Sequence, residues 1–576
     1  MTLKNQVSSL ESFIKLLKKS DPEDRNELLQ SFEISNILPE KDEDKGTDSL
    51  DNITCKPQIK TESTKIVLEN EEDTQFAVYG KPSIFIPSHK RSNFVTKLNG
   101  FEEFQSPIIL RYISNFFKWK YMENCLYIYR ESFLTDFFRD KEDMKESLDY
   151  CSEELILAIC AHGAQVDFEK EYFSYRGLTY DSPEKFYNKA KEIIFNKLKR
   201  ENCNNITSIQ TLLTLAFFDL GRGNNCSAWI LSGLAFRIGV HMGFEVDLNA
   251  LKKNDEIPIT DYDINVKGRI YWGCRVADYY ISFLLGRAPT LDHLYATIPK
   301  SKNLPHLQGL EYFMYSDPVT DQTSLFNISN PLEQLNKLYE IVNRFHKLVY
   351  RDQLEENVNG LAYQMWHNLD KFNLAVFEWK DGLEHELYWT KNELKTAGYN
   401  PNKMFFRYQY YLVILLFNRD YIGIEYNGSM GEISPDIICA RAIEDVFIAM
   451  KCFTKYHKFR LASLNMVYLC ILGIVILDKL TEPKNLLYSN KKMLNFFATV
   501  LKECSDSYGL AYSAYRSFIN IFKKYKLHIH LKNIKLLDDA KTVVISPKCE
   551  NEEDEVDSED CIIPSLNYTE SELATH

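Results

Sequence analysis

Thirteen cysteines are the residues with the most chemistry to offer. Thiolates hold zinc or iron–sulfur clusters when they recur as C-x2-C or C-x4-C. Cys55, Cys125, Cys151, Cys160, Cys203, Cys226, Cys274, Cys439, Cys452, Cys470, Cys504, Cys549 and Cys561 show neither spacing. Their odd number and apolar neighbours suit reduced thiols that pack as small hydrophobes in a nuclear or cytosolic protein. Asp261-x-Asp263 has the types of a cation pair, but ahead of a helical run it suits a helix cap better. His162 and His241 lie in apolar stretches and read as hydrogen-bonded core or helix-end imidazoles. Gly221-Arg222-Gly223 is a glycine turn too short to cradle a phosphate by itself. G-x-x-x-x-G-K, G-x-G-x-x-G, G-x-S-x-G and H-E-x-x-H are all missing from the sequence. No catalytic, metal or cofactor set emerges, and the chain reads as a non-enzyme.

The elements that would position these residues are helical. Leu155, Ile156, Ile159 and Cys160 recur at helical spacing within 152–165. Ser182-Pro183 is an N-cap with proline at the first helical position, opening a helix to Leu198. Thr207 and Gln210 have capping-box spacing ahead of a run, 209–221, that is apolar nearly all round and belongs at the centre of the body. Further helices are read over 227–241, 261–285, 331–358, 402–421, 434–459, 462–480 and 491–524. Trp229 and Trp272 read as core aromatics. Strands do not alternate with helices, which argues against a parallel α/β sheet. The fold class is all-α: a large multi-helix body over 105–535, flanked by acidic termini.

Composition agrees. The chain has 576 residues, 45% of them hydrophobic, with only 22 Gly and 18 Pro. That is too little Gly and Pro for an all-β or largely disordered chain. The longest apolar stretch, 464–477, contains Asn465 and falls short of a membrane span. The net charge of −13 is concentrated outside the body. Residues 40–75 carry five basic and eleven acidic side chains, and 550–576 carry none and ten. The body, 76–549, is left nearly neutral. Its nearest approach to a basic cluster is Lys90, Arg91 and Lys97. Val7, Leu10, Ile14 and Leu17 fall at the a and d positions of two heptads, a short amphipathic helix within 1–30 suited to dimerisation. Residues 31–75 read as an acidic linker, 76–104 as extended, and 536–576 as a disordered acidic tail.

Four separated motifs in 106–301 carry a family resemblance. They are Ser152-x-x-Leu155-x-x-Ala158-Ile159-x-Ala161-x-Gly163-Ala164, then Ile206-Thr207-Ser208-Ile209-Gln210-Thr211-Leu212-Leu213. The third runs from Ala228-Trp229 through Gly233, Arg237 and Gly239 to His241-Met242-Gly243-Phe244. The fourth is Arg269-x-Tyr271-Trp272-x-Cys274-x-x-Ala277-Asp278, followed by Gly286-Arg287-Ala288-Pro289. In order and spacing they resemble the regulatory middle region of fungal zinc-cluster transcription factors. Tyr408 to Arg419 resembles that family's helix with a histidine–arginine pair, here with Asn418 in the histidine position.

The resemblance implies a nuclear regulator of RNA polymerase II genes with a helical, effector-sensing body and an acidic activation tail. Gln210, Trp229, Gly233, Arg237, Arg269, Trp272, Asp278, Gly286, Arg287 and Pro289 are then structural members of the family motifs. Gly233 and Gly239 would admit close helix approach. Arg237 and Arg269 would pair with Asp219, Asp278 or helix carbonyls. Gly286 would cap a helix, with Arg287 at its negative end. The family's six-cysteine zinc cluster is absent from this sequence. Zinc is therefore expected only with an upstream cluster, and DNA contact only through such a cluster or a partner. A homo- or heterodimer, coactivators and a small-molecule effector are the implied partners; a membrane is not. The alternatives are a scaffold or titrating partner without DNA contact, and an all-α small-molecule-binding protein or enzyme.

Overall fold

Helix caps set most element boundaries. The computed structural model describes residues 65–70, 75–79, 101–122, 127–139, 150–169, 171–200, 204–247, 260–291, 296–300, 304, 309–321, 329–350, 361–424, 434–481 and 488–525. All of these fall in one unit, Ile59–His576. The Val7–Leu17 heptads, Lys90, Arg91 and Lys97, and the tail lie outside the described residues.

The first part of the body is α1 (Pro107–Asn115), α2 (Arg130–Phe137), α3 (Glu153–Gln165), α4 (Pro183–Lys199), α5 (Ile206–Arg222), α6 (Asn225–His241) and α7 (Asp261–Leu284). The second is α8 (Ser329–Tyr350), α9 (Leu361–Asp381), α10 (Lys391–Ala397), α11 (Pro401–Asn418), α12 (Pro435–Phe453), α13 (Leu464–Leu480), α14 (Tyr488–Cys504), α15 (Gly509–Ser517) and α16 (Ile519–Lys524). The only described strands form two antiparallel hairpins, β1 (Lys65–Asn70) with β2 (Gln75–Tyr79), and β3 (Phe173–Tyr175) with β4 (Leu178–Tyr180). The protein is all-α. β1 lies within the stretch read as acidic linker.

Ser106 and Ser152 each accept a hydrogen bond from the third residue of their helix, satisfying an orphan amide. Thr260 and Asp263 form a reciprocal capping box on α7, which gives Asp261-x-Asp263 its cap role. Ser182 and Ser434 are N-caps before Pro183 and Pro435, but their side chains make no cap hydrogen bond. The cap of α5 differs from the sequence expectation. Asn205, not Thr207, accepts the Ser208 amide at 2.8 Å. This starts the helix two residues earlier, at Ile206, and turns Gln210 into the core.

Two helical runs end or break before their expected limits. The 434–459 run stops at Phe453, and 491–524 divides into α14, α15 and α16. The division between α14 and α15 has a packing cause. A Cβ on Gly509 would meet the Arg222 carbonyl at 3.1 Å, so this backbone passes against the end of α5.

Helix α5 is the hub. All of Ile206–Gly221 is buried, and α3, α4, α6 and α15 pack on it. A Cβ on Gly163 would stand 1.9 Å from the Tyr112 carbonyl oxygen, so α1 and α3 meet backbone to backbone there. That is the close approach expected of Gly233, which instead faces open space, while Gly239 makes ordinary contacts. The two parts share one core. Phe217 of α5 stacks on Tyr280 of α7, whose hydroxyl donates to Asn465 of α13 at 2.6 Å.

Candidate functional site: the motif core and its loop

The four motifs occupy α3, α5, α6 and α7, with the loop that follows α7. Within this core, polar groups are spent on positioning. Gln210 donates to the Tyr127 carbonyl at 3.0 Å, holding the segment before α2 against α5, while its Oε1 is buried without a protein partner. His162 meets the Thr214 carbonyl at 2.9 Å between the rings of Phe116 and Phe218. Burial lowers its pKa to about 3, so it stays neutral. Asp219 accepts hydroxyls from Tyr187 at 2.7 Å and Ser227 at 2.6 Å, joining α4, α5 and α6.

Asp278 does the corresponding work for the loop after α7. It is fully buried and accepts the Thr290 amide at 2.7 Å, the Leu291 amide at 2.6 Å and the Ser282 hydroxyl at 3.2 Å. Burial pushes its pKa up to about 6, with the two amides pulling the other way. The loop leaves the helix through Gly286, at φ +63°, with Gly286 N–H donating to the Phe283 carbonyl and Arg287 N–H to that of Ser282. These two bonds make a Schellman motif. Arg287 then lays its guanidinium 4.8 Å over the ring of Trp229, clipping the loop to α6. Pro289 is partly buried within this clip.

Several expectations change. Trp229 and Trp272 are only partly buried at the edge of the core. Trp272 donates to the Pro299 carbonyl at 2.9 Å, which is why its indole reaches the surface. Arg237 is exposed and needs no buried counterion. Arg269 is buried, 4.7 Å from the ring of Tyr129. It pairs with neither Asp219 nor Asp278, because those carboxylates are taken up by hydroxyls and amides. Near Arg269, Glu131 feels burial that would raise its pKa, but its ion pair with Arg130 at 2.6 Å and the charge of Arg269 lower it. Asn418 exchanges hydrogen bonds with Asn373 of α9 at 2.9 and 2.8 Å, tying α9 to α11.

Other polar residues went unread in the sequence. Arg275, 1% exposed, donates to Asn336 at 2.8 Å and reaches Glu340 at 3.3 Å, fastening α7 to α8. Lys120 is buried and donates to the Ala462 carbonyl at 3.4 Å and to the Tyr508 hydroxyl. Neither has a sequence signal, since a charged residue in an apolar helix does not name its partner. The segment Lys451–Arg460 did have one: four Lys/Arg and a histidine without a carboxylate.

A pocket of about 10 Å³, room for one water, lies between α5, α6 and α7. Ile209, Phe236, Phe244, Tyr271, Cys274 and Leu291 line most of it. Glu245 lies at its edge, its pKa raised by burial. Lys267 nearby donates to the Gly243 carbonyl at 3.2 Å, and burial lowers its pKa to about 8. Among the described residues no group of three His, Cys, Asp or Glu is placed to hold a metal ion. Burial raises the pKa of Cys160, Cys274, Cys470 and Cys504, the reverse of what a zinc thiolate needs.

Residues 113–388 match the fungal specific transcription factor domain. The chain is 30% identical to an uncharacterized transcriptional regulatory protein, C777.02 of Schizosaccharomyces pombe, over 91% of this chain and 81% of that protein. This chain belongs to the fungal-specific transcription factor family. It is also 29% identical to the S. pombe transcriptional regulatory protein C757.04, over 88% of this chain and 76% of that one. It is 32% identical to the activatory protein CHA4 of Saccharomyces cerevisiae, over 73% of this chain and 64% of that one. No solved structure matches. The family match covers α3, α5, α6 and α7 and runs on to α9, so all four motifs fall inside the fungal-specific domain.

Proposed function

We propose that this member of the fungal transcription regulator family acts in the nucleus on RNA polymerase II genes, with the helical body as its regulatory part. The supporting observation is the motif core itself. Its buried polar groups hold helices and a loop in register, and none converges on a reacting centre. The family membership supports a regulatory rather than a catalytic role for that arrangement. A body that couples several helices through Asp219, Asp278 and the Arg287–Trp229 clip can transmit a small-molecule or partner signal as a rearrangement of packed elements. DNA contact is assigned to a zinc cluster outside this sequence or to a partner, dimerisation to the Val7–Leu17 heptads, and coactivator contact to the acidic tail.

Promoter occupancy tests this reading. A tagged chain expressed in its own cell should be nuclear, and chromatin immunoprecipitation should recover discrete promoters. A cytosolic chain with no enriched promoters would instead mark a scaffold or titrating partner.

A further inference from the structure

The last turn of α12 and the segment after it, 451–460, carry Lys451, Lys455, Lys458, Arg460 and His457, and no carboxylate occurs between Asp445 and Asp478. Lys451, Lys455 and Lys458 are exposed. Elsewhere on the surface, cations such as Lys185, Lys189, Lys197 and Lys391 have carboxylate partners. Within the described residues, Lys451, Lys455, Lys458, Arg460 and the neighbouring Lys118 have none.

Aromatic rings lie among these cations. Phe168, 51% exposed, has the Lys458 ammonium 5.5 Å and the Arg460 guanidinium 5.6 Å from its ring centre. Tyr456, 45% exposed, packs on Tyr399 at 4.3 Å. His457 packs on Trp119 at 5.0 Å, and Lys118 lies 4.9 Å over the ring of Tyr312. Several acids beside this surface are already engaged. Arg111 gathers Asp167, Glu169 and Glu171 at 3.1, 2.6 and 2.9 Å, and Asp317 accepts from the Tyr399 hydroxyl at 2.9 Å.

We propose that this cationic, aromatic surface docks the acidic segment 550–576 of the same chain. The chemistry is complementary. That segment holds ten carboxylates and no Lys or Arg, with Val556, Ile562, Ile563, Leu566, Tyr568 and Leu573 between them. Carboxylates meet the free ammonium groups, and apolar side chains cover the exposed rings.

The reach also fits. Tyr525, the last described residue, donates to Asp478 at 2.8 Å and to the Thr481 carbonyl at 3.2 Å, at the C-terminal end of α13. The cationic segment enters the opposite end of α13, so about 25 Å separates the two. Residues 526–549, which link Tyr525 to the acidic segment, reach about 80 Å fully extended. Tethering then supplies a high effective concentration, so surface ion pairs that are weak singly can hold together.

Carbodiimide coupling, which joins a carboxylate to a lysine amine in contact with it, tests this on the full chain. Peptide mapping should find the acidic segment joined to Lys455 and Lys458 in preference to the exposed Lys185 and Lys199 of α4. The yield should fall about fivefold or more in K455E/K458E, in F168A/Y456A and at ~0.5 M salt, where screening is short-ranged. Circular dichroism should show that both variants remain folded. Coupling spread evenly over the lysines, or unchanged in K455E/K458E, overturns the proposal. So does coupling between isotopically heavy and light chains in a mixture, which would assign the surface to a second copy. A DNA duplex bound by the wild-type chain and released by K455E/K458E, without coupling to the acidic segment, would overturn it in favour of a phosphate backbone.

Discussion

Asp278 shows how one buried carboxylate can govern a loop. Its pKa is raised to about 6, above the ordinary value near 3.8. The unfolded chain therefore ionises this group at lower pH than the folded one. Its stabilising contribution is complete below about pH 4 and is lost as pH rises through about 6. Asp278→Asn keeps an acceptor for the Leu291 amide but cannot ionise. Urea midpoints at pH 5 and pH 7 should therefore lie closer together in D278N than in the wild type. Equal pH dependence in both would remove Asp278 from this role. Asp278→Ala should cost about 1–3 kcal/mol, the penalty of leaving a buried donor unsatisfied. Tryptophans divide by burial at the same scale. Trp389 is 1% exposed and donates to the Tyr411 hydroxyl at 3.0 Å. Trp389→Ala should cost about 3–5 kcal/mol, and Trp272→Ala clearly less in the same denaturation assay, because its ring is partly in solvent already.

Glycine contacts carry the argument at the scale of elements. The contact of α1 with α3 tolerates no side chain at Gly163, because the obstructing atom is backbone rather than a side-chain end that could turn away. Gly163→Ala should destabilise by at least about 1–3 kcal/mol, the usual cost of overpacking. Gly233→Ala on α6 meets nothing within 4 Å. It should be neutral or add about 0.5–1 kcal/mol, because alanine restricts the unfolded chain and favours helix. Thermal unfolding of the two variants side by side checks both, and equal effects would show that helix propensity rather than contact decides. The α5 cap adds a smaller expectation. Asn205→Ala should cost about 1 kcal/mol and Thr207→Ala should leave the cap intact, since only Asn205 accepts the Ser208 amide.

For the whole molecule, charge and cysteine placement decide what the chain of residues 1–576 can do alone. Its net charge is −13, and no cysteine pair has zinc-ligand spacing. Specific readout needs side chains delivered to base edges, and phosphate contacts need a concentrated positive face. Metal analysis of this purified chain should find no stoichiometric zinc, and gel shifts at physiological salt should show no preference for one duplex over scrambled DNA. Nanomolar binding to a single site would reveal a reader within these residues. The acidic segment 550–576, fused to an unrelated DNA-binding domain, should raise reporter output. Equal output with and without it would leave the segment a solubilising terminus.

The sequence by itself determined the helical class and the central place of α5, because a run apolar on every side must be buried on every side. It also determined the family, because four motifs in fixed order are a local, additive signal. Cap positions were legible where proline follows them, as at Ser182 and Ser434, and misread at Thr207, where Asn205 competed two residues earlier. Only the tertiary structure decided which charges are buried and with what. Arg237 and Arg269 both sit on helices that pack into the core, yet one faces solvent and the other the ring of Tyr129. Gly163 and Gly233 look alike in the chain, and only the path of α1 separates a forced contact from open space. The cations of 451–460 form a run in the sequence that went unread beside Lys90, Arg91 and Lys97. Their lack of carboxylate partners among the described residues and the rings of Phe168, Trp119 and Tyr312 beside them were not legible, because those rings come from segments more than a hundred residues away. Partnership of that kind depends on which surfaces folding brings together, and no local pattern encodes it.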